Sequence, residues 1–225
     1  MTRRPFRLPR DARLVRFAAS DGTELEGRLT VAGADRGPHG GVVLCHPHPL
    51  YGGSMLTPVI LTAEQAFQEA GYSTLAFNFR GVGGSRGRHG EGRAEVADVS
   101  GALAHLAETL GEGLAHRVVA GYSFGSVVGA RLAASRSDVA WYLGIAPPLD
   151  RHDFGFLRAA TCRIALVGGT RDELCSRSAL EALHASLPGT PWLRLLDTDH
   201  FFTDALDALG AACREAIAWA DAGGS

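Results

Sequence analysis

Residues 117–134 read RVVAGYSFGSVVGARLAA, and their local physics decides the fold. Arg117 to Ala120 is a short β-branched, apolar run, which predicts a buried strand. From Phe124 to Ala134, Val127, Val128, Ala130, Leu132 and Ala134 fall at helical spacing. Between the two stands Gly121-Tyr122-Ser123-Phe124-Gly125. A strand that becomes a helix within one residue forces the central residue into a strained backbone conformation. Side chains two positions to either side would then collide, so glycine is needed at both. The turn lifts the Ser123 hydroxyl clear of the sheet and aims the first helical N–H groups at whatever binds there. Ser126 and Gly129 keep the helix thin where it presses on neighbouring strands. The same pattern recurs at Gly83-Gly84-Ser85-Arg86-Gly87, but that stretch runs on into loop. Only Ser123 has strand before and helix after, so Ser123 is the candidate nucleophile.

Working outward, Leu14–Ala18 and Glu24–Leu29 read as a hairpin across the Asp21-Gly22 turn signal. Gly41–Cys45 is a continuous apolar strand, followed by the polar loop HPHPLYGGS over 46–54. A helix is predicted over about 58–70, a strand over 72–79 and a long helix over 91–110. Beyond the central unit come strands at 139–145, 163–167 and 192–196, with helices at about 176–186 and 203–220. Strands and helices alternate after the hairpin. That order predicts one α/β domain over 1–225, with a basic arm at 1–12. Its mostly parallel twisted sheet has about eight strands, an antiparallel hairpin at the start, and helices on both faces. Ligands bind such sheets beyond the carboxyl ends of the strands, where the loops 46–54, 80–90, 121–125, 168–175 and 197–202 gather.

At 225 residues and 46% hydrophobic, the chain can bury one substantial core. A net charge of −2 argues against nucleic acid as a partner. All 22 basic residues are arginine, which excludes a Walker A lysine and Schiff-base chemistry. Gly81-Val82-Gly83-Gly84 fails as a dinucleotide fingerprint because Arg86 stands where the last glycine belongs. No cofactor is expected. The four cysteines are scattered, without a C-x-x-C, and read as reduced core or surface thiols of a cytoplasmic protein. The arginine-rich start lacks the apolar core of a secretory signal, and no run is long enough to span a membrane. The pattern leaves the oligomeric state open.

A serine hydroxyl needs a base, and the base needs an orienting acid, in the chain order Ser, Asp or Glu, His. Three histidines follow Ser123. His184 lies mid-helix, and His152 sits in a connection where it could touch substrate. His200 follows the last strand, where the base is required. Asp172 follows the strand ending at Val167 and is the preferred acid, with Glu173, Asp150, Asp153 and Asp199 as rivals. An oxyanion hole takes backbone N–H groups from Phe124 and from the loop after the third strand. Prolines 47 and 49 have none to give, which leaves His48 and Leu50, with His48 preferred. The His46-x-His48 pair could chelate a metal, but no third ligand accompanies it at sensible spacing, so none is expected.

HPHPLYGGS (46–54), FNFRGVGGS (77–85), GYSFG (121–125), GGTRDELC (168–175) and DTDHFF (197–202) occur here in one order. Together they resemble the α/β-hydrolase superfamily, in particular the small lidless bacterial serine hydrolases related to dienelactone hydrolase. The resemblance implies a triad of Ser123, Asp172 and His200, with amides near His48 and Phe124 as the oxyanion hole. Arg171-Asp172 departs from the Gly-Asp-x-Asp often seen in that family, and a serine stands where dienelactone hydrolases proper carry cysteine. The connection 146–161 is too short for a lid, so an open site is expected, lined by Tyr51, Phe154 and Phe202, with Phe124, Phe156 and Phe201 as further candidates. These features predict hydrolysis of small or medium esters or thioesters through an acyl-enzyme. The competing reading is a binding or scaffold protein of the same fold with an inactive site.

Overall fold

The computed structural model describes residues 11–33, 40–111 and 114–223. Most of the predicted basic arm lies outside these. Eight strands form one sheet in the order β1-β2-β4-β3-β5-β6-β7-β8. β1 (Arg13–Ala18) and β2 (Glu24–Thr30) make the antiparallel hairpin, and β2 also pairs antiparallel with β4 (Ser73–Phe77). β3 (Gly41–Cys45), β5 (Arg117–Tyr122), β6 (Val139–Ile145), β7 (Arg163–Gly169) and β8 (Trp192–Leu196) run parallel to β4.

The period of two along each strand splits the interior into two layers. Val43, Cys45, Leu75, Phe77 and Val119 face α2 (Glu95–Leu110), α3 (Phe124–Ser135) and α4 (Arg177–Ser186). Val42, Leu44, Ala76, Val118 and Ala120 face α1 (Pro58–Glu69) and α5 (Leu206–Ala222). Strands buried on both faces explain why the third, fourth and fifth read as unbroken apolar runs rather than alternating ones. All four cysteines are free and buried, which resolves the core-or-surface choice. Burial pushes the Cys162 thiol up to about 11 and Cys213 up to about 12. Among the described residues, no helix is long and apolar enough to cross a membrane.

Two helix starts differ from the sequence reading. α2 begins at Glu95, not 91, because Glu91 and Gly92 hold positive φ of 54° and 78°. The Glu95 carboxylate takes the Gly90 and Gly92 N–H groups instead, folding the segment into a loop. α5 begins at Leu206, not 203, because Phe202 and Asp204 are left-handed, at φ 55° and 58°. The connection after β6 also forms an unforeseen 3-10 turn at Gly155–Ala159.

The loop after β4 is fixed by charge. The Arg80 guanidinium donates to Asp98 at 2.9 and 2.6 Å and to Asp21 at 2.8 Å, with Asp98 fully buried. Asp98→Ala leaves Arg80 without its buried partner. We expect a loss of about 3–5 kcal/mol in unfolding free energy, measured by denaturant titration. The second G-x-S-x-G is structural: Ser85 Oγ donates to the Asn78 carbonyl at 2.6 Å and accepts the Glu26 N–H at 3.0 Å.

Candidate active site

The parallel register brings Cys45, Phe77 and Gly121 side by side at the carboxyl edge of the sheet. Immediately beyond Gly121, Ser123 takes φ 53° and ψ −119°, the strained conformation the turn demands. Its own N–H donates to the Ile145 carbonyl at 2.9 Å, which ties the turn to β6. The steric case for both glycines holds in atomic detail. A Cβ on Gly121 would sit 2.3 Å from the Gly125 carbonyl oxygen, and one on Gly125 would sit 2.1 Å from that of Cys45.

His200 and Asp172 reach the same point from the ends of β8 and β7. The Ser123 hydroxyl lies 2.9 Å from His200 Nε2, and His200 Nδ1 lies 2.9 and 2.8 Å from the two Asp172 oxygens. A carboxylate only accepts, so Nδ1 carries the proton and Nε2 is left to accept from serine. Asp172 Oδ1 is held in turn by the Leu174 and Cys175 N–H groups, at 2.8 and 3.0 Å. Tyr122 donates its phenol to the His200 carbonyl at 3.0 Å. Burial first, and then Asp172 and Asp199, push that phenol far up, so it stays a donor. Burial and the Asp172 charge also push the adjacent Cys175 thiol up to about 12, leaving it inert.

The rival acids have other tasks. Asp150 accepts from the Ser176 N–H and hydroxyl, Asp153 from the Gly155 N–H, and Asp199 from the Phe201 and Thr203 N–H groups. Glu173 is exposed. Among the histidines, His184 lies 3.0 Å from the Pro191 carbonyl, and His152 is exposed.

The loop after β3 rests on His46, whose role the sequence did not reveal. His46 is fully buried; its Nδ1 lies 2.6 Å from the Pro47 carbonyl and its Nε2 accepts the Phe79 N–H at 3.0 Å. Both nitrogens are used, so His46-x-His48 offers no chelating pair. His48 caps the 3-10 turn Pro49–Tyr51. Neither the His48 N–H nor the Phe124 N–H donates to another described residue, and both belong to elements that meet the elbow.

Burial holds His46 down at about 4 rather than 6.5, so the folded state keeps it neutral where the unfolded chain takes up a proton. Its contribution to stability is full above pH 6.5 and is lost as pH falls toward 4. Unfolding free energy should drop by about 2 kcal/mol between pH 7.5 and 5 from this group alone. His46→Gln, which cannot titrate, should lose that share of the pH dependence in denaturant melts.

Two predicted lining residues are corrected. Phe202 is 1% exposed and packs against Tyr122 in the core facing α1 and α5. Its neighbour Phe201 is the one that stands out, 70% exposed and edge-on to the His200 ring at 5.5 Å. Asp199 decides this by taking both the Phe201 and Thr203 N–H groups, which turns residue 202 inward. Phe154 is 2% exposed, stacked on Phe156 and sunk with Leu157 into the core beside α3. Tyr51 is 87% exposed and leans on His48.

The chain matches no protein-family model. It is 32% identical over 187 residues to an uncharacterized protein of Rickettsia prowazekii, covering 79% of this chain and 77% of that one. A lidless α/β serine hydrolase from Xanthomonas campestris is similar across 94% of this chain and 96% of its own, at 27% identity and a TM-score of 0.82. An α/β serine hydrolase homologue from Coxiella burnetii shares 28% identity, with a TM-score of 0.80 over 93% of this chain and 98% of that one. A protein of unknown function from Agrobacterium tumefaciens superposes with a TM-score of 0.86 at 28% identity, over 94% and 98% of the two chains. The chain belongs to the α/β-hydrolase superfamily and is a hydrolase of that class.

Proposed function

We propose that this hydrolase cleaves small or medium carboxylic esters or thioesters through an acyl-enzyme on Ser123. The observation that carries the reading is the unbroken chain of contacts from Ser123 Oγ through the His200 ring to Asp172. In the first half-reaction, Ser123 Oγ attacks the carbonyl carbon while Nε2 of His200 takes its proton. Asp172 holds the ring in the required tautomer and balances the imidazolium. The oxyanion that forms is met by the Phe124 and His48 N–H groups. His200 then returns its proton to the departing alkoxide or thiolate, and water repeats the sequence to release the acid. Tyr51 and Phe201 stand exposed at the mouth and offer apolar surface to a substrate. With the 146–161 connection folded against α3, the mouth suits short chains better than long lipids. In a stopped-flow trace with p-nitrophenyl acetate, we expect a burst of p-nitrophenol stoichiometric with protein ahead of steady turnover, and acid quench during that steady phase should trap acyl-Ser123. Turnover without any covalent acyl species at Ser123 would defeat the mechanism.

A further inference from the structure

In the loops that follow β3 and β4, two imidazoles meet the ring of Phe124, the residue next to Ser123. The His48 and His89 ring centroids are 4.9 Å apart and lie 4.9 and 5.4 Å from that of Phe124. Each imidazole is oriented through its Nδ1. His48 Nδ1 accepts the Leu50 N–H at 3.2 Å, so the neutral ring carries its proton on Nε2. His89 Nδ1 sits 2.8 Å from Oε1 of Glu95, a fully buried carboxylate, though the ring is not in line for a hydrogen bond; two acceptors would repel at that distance, so the neutral ring places its proton on Nδ1. Neither Nε2 bonds to another described residue. The loop bearing His89 is pinned by the Glu95 carboxylate and by Arg131, whose guanidinium donates to the Gly92 carbonyl at 3.0 Å. Two rings held from behind in this way offer a ligand one donor and, when His89 is neutral, one acceptor. Burial and the neighbouring His89 and His152 hold His48 below the usual imidazole range, against the pull of Glu95, and that keeps it the neutral N–H donor.

Strand order says which part of the substrate comes here. His200 and Asp172 arrive from β8 and β7, whereas His48 and His89 follow β3 and β4, on the other side of β5. The leaving group must sit beside His200 Nε2 to receive its proton, which leaves the β3 and β4 side for the oxyanion, against the His48 N–H, and for the acyl chain beyond it. We propose that His48 and His89 form a hydroxyl-recognition subsite, and that the preferred substrates are esters or thioesters of hydroxylated short-chain acids. The hydroxyl oxygen accepts from His48 Nε2–H and its proton is donated to His89 Nε2. This assignment rests on the acyl-transfer reading above.

The test compares kcat/KM at pH 8 for p-nitrophenyl 3-hydroxybutyrate, butyrate and hemisuccinate. The unaltered protein should favour the hydroxylated ester over butyrate by about tenfold or more, since a site built around a hydroxyl discriminates against its absence. His89→Phe keeps a ring but no acceptor, and should bring that ratio close to one. His89→Gln restores a side-chain oxygen and should recover most of it. Because each ratio is taken within one protein, partial misfolding cancels. Equal turnover of hydroxybutyrate and butyrate by the unaltered protein, a ratio indifferent to His89→Phe, or a stronger preference for hemisuccinate would each overturn this inference alone. Failure to turn over any of the three, with Ser123 unacylated, would remove the hydrolytic reading as well.

Discussion

Ser123→Ala is expected to cut kcat/KM for a short p-nitrophenyl ester by about 10⁴-fold or more, while the protein still unfolds in one cooperative transition. The size follows from what is removed. The hydroxyl lies 2.9 Å from the His200 imidazole and beside the N–H groups of the α3 start. Without it no acyl-enzyme can form, and only direct attack by water, helped by the remaining N–H groups, is left. Structurally the hydroxyl does little: the turn is held by the Ser123 N–H on Ile145 and by Ser126 Oγ, which donates to the Ser123 carbonyl at 2.6 Å. Alanine keeps both backbone groups. Activity retained within tenfold, with the variant shown to be pure by mass, would exclude Ser123 as the nucleophile.

Asp172→Asn should cost about 10⁴-fold in turnover through a different route. Asp172 Oδ1 already accepts two backbone N–H groups, so the asparagine oxygen takes that place and its NH₂ is turned toward His200 Nδ1. The imidazole then faces a donor rather than an acceptor, and the proton moves to Nε2, against the Ser123 hydroxyl. The base is present but in the wrong tautomer. Geometry should survive, since the asparagine oxygen preserves the cap on Leu174 and Cys175, and circular dichroism and thermal melts should be close to those of the parent. A loss below tenfold would show that the acid does not set the tautomer.

The part of this structure that sequence reveals is the part governed by hard steric or hydrogen-bonding rules. Gly121 and Gly125 are dictated by collisions, and the collisions are there. Gly41–Cys45 matches to the residue because a doubly buried strand has no polar interruption. Asp172 and His200 were placed by strand-end position, which topology constrains strongly. The misreadings share another cause. Whether Phe201 or Phe202 faces solvent depends on one carboxylate, Asp199, capping two N–H groups, and no hydrophobic period passes through that turn. The apolar stripe of α2 begins only at Val96, so it does not fix where the helix starts, and the Glu95 carboxylate, by taking the Gly90 and Gly92 N–H groups, does. His46 and His89 look like ordinary loop residues in the chain. Only the structure shows one locked beneath the loop after β3 and the other held against a buried glutamate.

An activated hydroxyl at the elbow is tested most directly by covalent labelling. Incubating the intact protein with a fluorophosphonate and mapping the adduct by mass spectrometry should find Ser123 modified, and His200→Ala should slow that labelling severely. An unmodified Ser123 in folded protein, or an adduct confined to another serine, would contradict it.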